Sequence, residues 1–495
     1  MTVCVYRGKS TVLFCLLALI LISCNTTPPG VVLPYTDNYE DIASLRHYKE
    51  WGTYNVHDPA CIKAGDYYYV YSTDAYLGNP LAEAGTLGIK TGNIPIRRSR
   101  DLIHWEFVGW ALDSIPAEAV RYVHQFNNKQ GAANIWAPYV TKYKDKYRMY
   151  FSVSAFATNV SYLGLAEADT LEGPWRFLGK VLATNSGDKM NAIDPSVITD
   201  RQQRQWMHYG SYFDGLYCLE LNPETGFSLV PEDKGHCTSR RYNLAKDNLE
   251  APEIIYNPQT GYYYLFVSYD PLMTTYNIRV GRSRQAQGPF LDFFGRDLSK
   301  SDNNVPLLSH AYRFNNHAGW AGTGHCGLVD DGEGNFYVLH QARLAPENHQ
   351  MLLHVREVFF TSDDWPVFSP ERYAGIKASR INKKQLAGKW EIIKLKESTY
   401  KRLTYAGQIL WGENRLADEE ICISKNYSFN EDGSVEGFLD GNWSYQNNCL
   451  KLNLDDMHSS ELLVHRGLDW ENSCETLLFT GLDKNGCSVW GKKIY

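Results

Sequence analysis

The chain has 495 residues, enough for two or three domains with a sizeable core. Aromatic residues make up 14% of it, with 34 Tyr and 13 Trp, which suits β-structure and also suits sugar binding, since a flat ring offers apolar area while Tyr and Trp keep a polar tip. The formal net charge of −7, with no basic cluster to offset it, argues against a nucleic-acid partner.

Arg7 and Lys9 stand ahead of an apolar stretch, 12–22, that is too short to span a membrane comfortably. The stretch ends in Leu21-Ile22-Ser23-Cys24, which resembles a bacterial lipobox. On that reading residues 1–23 are a lipoprotein signal peptide and Cys24 is the lipidated end of an exported chain anchored at the bacterial membrane or cell surface. An ordinary signal peptide cleaved nearby is the alternative. Residues 24–45 then read as a tether, with Thr26, Thr27, Pro28, Pro29 and Pro34 at its flexible start. Cys61, Cys218, Cys237, Cys326, Cys422, Cys449, Cys474 and Cys487 remain beyond it. Export permits disulfides, sequence does not assign them, and no cysteine pair has zinc-site spacing.

The next region repeats. Aromatic strand runs begin at Asp66, Lys146, Gln205, Gly261 and Asn335, most of them after a polar turn such as Asp331-Gly332-Glu333-Gly334. Turn signals before outer strands recur at Ser99-Arg100-Asp101-Leu102, Gly173-Pro174-Trp175, Gly288-Pro289-Phe290 and Ser362-Asp363-Asp364-Trp365. An interval of about 55 to 80 residues matches one four-stranded sheet with its loops. The expectation is an all-β protein whose residues 46–380 form a five-bladed β-propeller. A pair of β-sandwiches is the runner-up and leaves the repeat unexplained. Composition shifts near 377–384, and turns such as Asp432-Gly433 and Asp440-Gly441 then mark residues 386–495 as a small, separate C-terminal β-barrel without an evident catalytic constellation.

Three carboxylates sit at repeated Pro sites: His57-Asp58-Pro59, Ile193-Asp194-Pro195 and Glu250-Ala251-Pro252. Aligned on the Pro, Asp58, Ala137, Asp194 and Ala251 are equivalent, with Glu250 one step earlier and Gly324-His325-Cys326 at about the same place in the fifth unit. An Asp before Pro is ordinarily a turn former. Acids recurring where inner propeller strands begin would meet at one axis, as glycoside hydrolysis requires.

With Asn134-Ile135-Trp136-Ala137-Pro138, Asn191-Ala192-Ile193-Asp194-Pro195, Gly210-Ser211-Tyr212-Phe213 and Gly322-Thr323-Gly324-His325, these motifs make residues 46–380 similar to glycoside hydrolase family 43, and within it to bacterial endo-α-1,5-L-arabinanases. The C-terminal segment is similar to the barrel appended to one group of them. The resemblance implies Asp58 as general base, Glu250 as general acid and Asp194 as the carboxylate that tunes and orients the acid, in an inverting mechanism with base and acid about 6.5–9.5 Å apart. It implies substrate contacts from Trp136, Phe156, Asn191, Ser211, Tyr212 and Phe213, and a Ca²⁺ ion near His325 in a structural or electrostatic role. The implied partner is plant cell-wall arabinan or its oligosaccharides. Tyr139 stands where the family often has an acid, and Cys326 where it often has Asn; the first bears on subsite support and the second on the metal shell. An exo-acting arabinofuranosidase or xylosidase, or a surface polysaccharide-binding protein, are the rival readings.

Overall fold

A computed structural model describes residues 30–75, 80–89, 92–241, 248–346, 351–398, 416–454 and 457–495. Arg7, Lys9 and Cys24 lie outside the described residues. The described chain is a β-propeller followed by a closed eight-stranded barrel.

The first propeller sheet runs His57–Ala64, Tyr67–Thr73, Pro95–Ser99, Glu106–Trp110 from the inside out. The second runs Trp136–Tyr143, Lys146–Ser154, Ser161–Ala168, Arg176–Thr184, and the third Ser196–Thr199, Gln205–Tyr209, Leu216–Leu221, His236–Ser239. The fourth has three strands, Leu249–Asn257, Tyr262–Tyr269 and Asn277–Ser283. Its expected outer strand after Gly288-Pro289-Phe290 does not form. Leu291 makes only single bridges, to Arg282 and Asp297, because Asp292 accepts bonds from the Phe294 and Arg296 amides and turns the chain back. The fifth aromatic run, Phe336–Leu344, belongs to a seven-stranded sheet, with Cys326–Asp330 on its inner side and Met351–Phe360 then Pro366–Phe368 outside. Inner strands touch in turn, from His57–Ala64 through the second, third and fourth sheets to Cys326–Asp330 and back.

The sheets also explain why the aromatic runs are unbroken. Side chains alternate between the two faces of a strand, and here both faces are buried. Tyr69 and Tyr71 pack toward the second sheet, while Tyr68 and Val70 pack toward the Phe336–Leu344 sheet. Tyr263, Leu265 and Val267 face the third sheet, and Tyr264 and Phe266 face Phe336 and Val338. Each such side chain contributes about 1.5–3 kcal/mol of burial, so the inter-sheet layers carry the fold.

The barrel runs Gly388–Lys394, Lys425–Phe429, Ser434–Gly437, Gly441–Gln446, Cys449–Leu454, Met457–Asp469, Cys474–Leu482, Ser488–Ile494. Its interior is filled, with Trp390 at 5.4 Å from Phe429 and 5.1 Å from Phe479 between ring centroids. It is less separate than its sequence implies: Cys422–Ile423 pairs in parallel with Tyr312–Arg313 and so joins the propeller's largest sheet. The part of the expected tether within the described residues is docked as well. Val31 N donates to Ser473 O, Tyr35 packs on Trp470, and the two oxygens of Asp37 take Arg372 at 2.6 and 3.0 Å. All eight remaining cysteines are free thiols.

Candidate active site

Asp58, Ala137, Asp194, Ala251 and His325 share one backbone feature: φ of 51°, 40°, 56°, 56° and 46°. For residues other than Gly such a conformation costs about 1–3 kcal/mol and persists only where its surroundings impose it. Here Pro59, Pro138, Pro195 and Pro252 follow four of the five and cannot donate to a sheet ladder. The ladder accordingly slips between His57 and Ala60, between Trp136 and Tyr139, and between Glu250 and Glu253, forming bulges that re-aim the side chains. Hydroxyls from the neighbouring sheet pin the kinks. Thr73 Oγ1 accepts from Ala137 N at 2.8 Å, Ser152 Oγ from Asp194 N at 3.2 Å, and Ser268 Oγ from His325 N at 2.8 Å.

These kinks bring Asp58, Asp194, Glu250 and His325 into one another's field. Asp58 Oδ1 lies 2.8 Å from His325 Nδ1, its Oδ2 lies 2.8 Å from His57 Nδ1, and Thr73 Oγ1 donates to Oδ2 at 2.7 Å. Burial pushes the Asp58 carboxyl up, but His325 and His57 outweigh it and hold it well below the usual range, as an anion. Asp194 goes the other way. Burial first, then the charges of Glu250 and Asp58, push it well above the usual range, against the pull of His325, while Ala251 N donates to its Oδ2 at 3.2 Å. Burial lowers His325, and Asp58, Asp194 and Glu250 together bring it up to about 9. Glu250 is held by two hydroxyls, Ser211 Oγ to Oε2 at 2.7 Å and Tyr276 OH to Oε1 at 2.8 Å. Two carboxyls pushed apart in proton affinity, beside a third held by neutral donors, are what acid–base chemistry on one substrate needs.

Beneath this layer lies Glu253, buried, accepting from Ser196 Oγ at 2.8 Å and from Leu328 N at 3.0 Å. Cys61, Tyr139 and Cys326 all feel its charge. The two departures from the family pattern, Tyr139 and Cys326, are therefore near neighbours around one buried acid, and Tyr139 bonds Ser196. Among the expected substrate contacts, Trp136 donates to Asn134 Oδ1 and meets Phe156 edge-on at 6.5 Å, with Phe156 49% exposed, so the pair makes an open aromatic wall. Asn191 is buried and accepts from Ser161 Oγ at 2.6 Å. Ser211 faces Glu250, while Tyr212 and Phe213 follow it with φ of 54° and 55°.

The calcium expectation fits these residues only as a water-held ion. His325 Nδ1 is taken by Asp58, leaving Nε2, and both Asp58 oxygens are engaged. Hard Ca²⁺ asks for six to eight oxygens. Among the described residues, three acidic ligand atoms come together only at Glu371, Asp469 and Glu471, and Lys492 Nζ already lies against all three.

Sequence reading missed Tyr276, Thr73 and Arg343. Tyr276 immediately precedes the third strand of its sheet and has no acid or Pro to mark it; Arg343, buried and in the field of Asp58 and Tyr276, lies near the end of an aromatic run that reads as core. A groove of about 760 Å³ lies elsewhere, on the seam between propeller and barrel. Asn315 bonds Asn426 and Asn316 bonds Asn472 there, as a domain contact.

A propeller whose inner strands deliver acids of divided proton affinity to one axis is the framework of a glycoside hydrolase. The chain belongs to Glycosyl hydrolases family 43, whose profile matches residues 52–366, and residues 370–491 match a C-terminal lipocalin-like domain. It is 26% identical over 482 residues to the extracellular endo-α-(1→5)-L-arabinanase of Thermotoga petrophila, covering 89% of this chain and 93% of that one. The crystal structure of the Thermotoga petrophila endo-1,5-α-L-arabinanase superposes with a TM-score of 0.74 over 90% of this chain and 99% of that one. Extracellular endo-α-(1→5)-L-arabinanase 2 of Bacillus subtilis is 28% identical over 479 residues, with 89% and 93% covered. An extracellular exo-α-(1→5)-L-arabinofuranosidase of Cellvibrio japonicus is 28% identical over 329 residues, 63% of this chain and 86% of that one.

Proposed function

We propose that this protein hydrolyses α-1,5-linked arabinofuranose chains in arabinan, from within the chain and with inversion. The observation that carries the reading is the convergence of three acids at one axis with different partners: Asp58 on His325 and His57, Asp194 on the Ala251 amide, and Glu250 between two hydroxyl donors. Asp58 takes a proton from the attacking water as its oxygen bonds to C1. Glu250 gives a proton to the departing oxygen, which leaves with the electron pair of the broken C1–O bond. Asp194 keeps the donor in place by accepting a hydrogen bond from the main-chain N–H of Ala251, the residue next to Glu250. The exposed Trp136–Phe156 wall supports an internal stretch of chain as substrate. The relatives that cover both domains, named as endo-arabinanases, support the endo mode.

Three finer readings accompany this one. The ring of inner strands and the five shared left-handed positions support a five-bladed count, with the fifth blade built into the seven-stranded sheet. The relatives named as extracellular support export, and Leu21-Ile22-Ser23-Cys24 supports a lipid anchor at Cys24, which Cys24→Ala would release from the membrane fraction. Calcium is proposed as an ion held largely by water beside His325. The deciding experiment is product analysis on linear arabinan with NMR of the first product. Oligomer mixtures of inverted configuration are expected. Arabinose alone would establish exo action, a retained product would overturn inversion, and no product would establish a binding protein.

A further inference from the structure

Glu250 carries two different hydroxyl partners on its two oxygens, and the difference has chemical content. Tyr276 OH donates to Oε1 at 2.8 Å and Ser211 Oγ to Oε2 at 2.7 Å. A phenol is a better donor and a poorer acceptor than an alkyl alcohol. The serine hydroxyl therefore reverses its role easily and accepts a proton's hydrogen bond, whereas the tyrosine hydroxyl stays a donor. Tyr276 is fully enclosed at 1% exposure, and burial together with Glu250, Asp194 and Asp58 keeps its phenol protonated. Its placement is built in. Gly324 lies against the ring, and a Cβ there would come 2.2 Å from Tyr276 Cδ1 and 2.5 Å from Cε1. Thr323 Oγ1 also donates to the Tyr276 main-chain carbonyl at 3.4 Å.

We propose that Tyr276 is a positioning residue for the proton donor: it holds Glu250 Oε1 as an acceptor, so that Oε2 carries the proton delivered to the leaving oxygen. The inference rests on Glu250 being the donor. In the step, the Oε2–H bond breaks, its proton goes to the departing oxygen, and the negative charge left on Glu250 is shared with Oε1, where the Tyr276 bond strengthens. Water supplies the hydroxyl to C1 and its other proton goes to Asp58, so atoms and charge balance. Asp58 then gives its proton to solvent, and solvent returns one to Glu250.

The test measures kcat and KM for wild type, Tyr276→Phe and Glu250→Ala on arabinotriose and on a nitrophenyl arabinotrioside with a good leaving group. Tyr276→Phe is expected to lower kcat on the natural oligosaccharide about 10- to 100-fold, as loss of a hydrogen bond to a developing charge implies. KM should hold, and the loss on the aryl substrate should be several-fold smaller. Gly324→Ala, which displaces the ring but keeps the hydroxyl, should reproduce the same leaving-group pattern and guards against a folding defect in the first variant. Equal losses on both substrates, or no loss, overturn the proposal. If Glu250→Ala itself shows no leaving-group dependence, the donor assignment fails first. If Glu250→Ala shows it and Tyr276→Phe does not, this inference alone fails.

Discussion

Two buried clusters in this chain hold the same ingredients, three carboxyls and a basic side chain, and they use them in opposite ways. At the seam between propeller and barrel, Lys492 Nζ lies 3.0 Å from Glu371, 2.9 Å from Asp469 and against Glu471. At the axis, His325 pairs with Asp58 alone, Glu250 takes hydroxyls, and Asp194 takes a backbone amide. Both clusters divide proton affinity. Burial and Glu471 push Glu371 well up, while Lys492 outweighs burial and brings Glu471 down to about 2. Perturbed titration therefore marks burial in both places and function in neither by itself. Access separates them: the four seam side chains are 0–3% exposed, whereas Asp58 and His325 keep 9% and 14%. One cluster has closed on its cation; the other has distributed its partners so that each acid is free for a different step.

The largest expected effect breaks the symmetry directly. Asp58→Ala should lower arabinan turnover per folded molecule by about 10²–10⁴-fold, the range for losing a positioned base, with a smaller loss of stability because His325 can give up its proton once its partner is gone. Lys492→Met should do the reverse. It leaves three carboxyls buried without their cation, a loss of about 3–5 kcal/mol, with kcat per folded molecule unchanged. Denaturant titration and steady-state kinetics on the two variants check both halves. A catalytic loss in Lys492→Met at constant fold, or severe unfolding in Asp58→Ala, would show that the clusters are not separable.

The same contrast explains what was legible in the sequence. The axial acids could be read because each precedes or adjoins a Pro at a repeated strand start, and the repeat placed them together. The five aromatic runs could be read because both faces of those strands are buried, which leaves no polar alternation to confuse them. The seam was not legible: Glu371 comes from a segment far from Asp469, Glu471 and Lys492, and no repeat relates them. Tyr276 was missed because a hydroxyl donor has no spacing rule. The fourth sheet's missing outer strand was missed because the turn built on Asp292 looks, in sequence, like any loop after a Gly-Pro.

A third test concerns Glu253, which sits below the axial acids and, among the described residues, makes no ion pair. Burial pushes it from an ordinary value of 4.5 up to about 7, against the bonds from Leu328 N and Ser196 Oγ. The folded state then holds a proton between about pH 4.5 and 7 that the unfolded chain has given up. Its contribution is full below the unfolded value and is lost as pH rises through the folded one, about 3 kcal/mol in all. Glu253→Gln keeps the shape and removes the charge. The variant should match wild type near pH 4 and exceed it by about that amount at pH 8, measured by urea unfolding at both. An equal difference at the two pH values would mean that Glu253 is ionised throughout.

The smallest expected effect comes from metal removal, and it separates the clusters once more. At the seam Lys492 Nζ stands where an ion would, so a chelator has nothing to withdraw there. Beside His325 the chain offers one nitrogen, with Asp58 already shared among His57, Thr73 and His325. An ion held mainly by water binds weakly, and at a free concentration near its dissociation constant it stabilises by only about 0.4 kcal/mol. EDTA should lower the thermal midpoint slightly, Ca²⁺ should restore it, and the response should vanish in His325→Ala while persisting in Lys492→Met. A large chelator effect, or calcium that survives exhaustive dialysis against EDTA, would mean that the axis has a closed metal cage, and its acids would then resemble the seam's more than they differ from it.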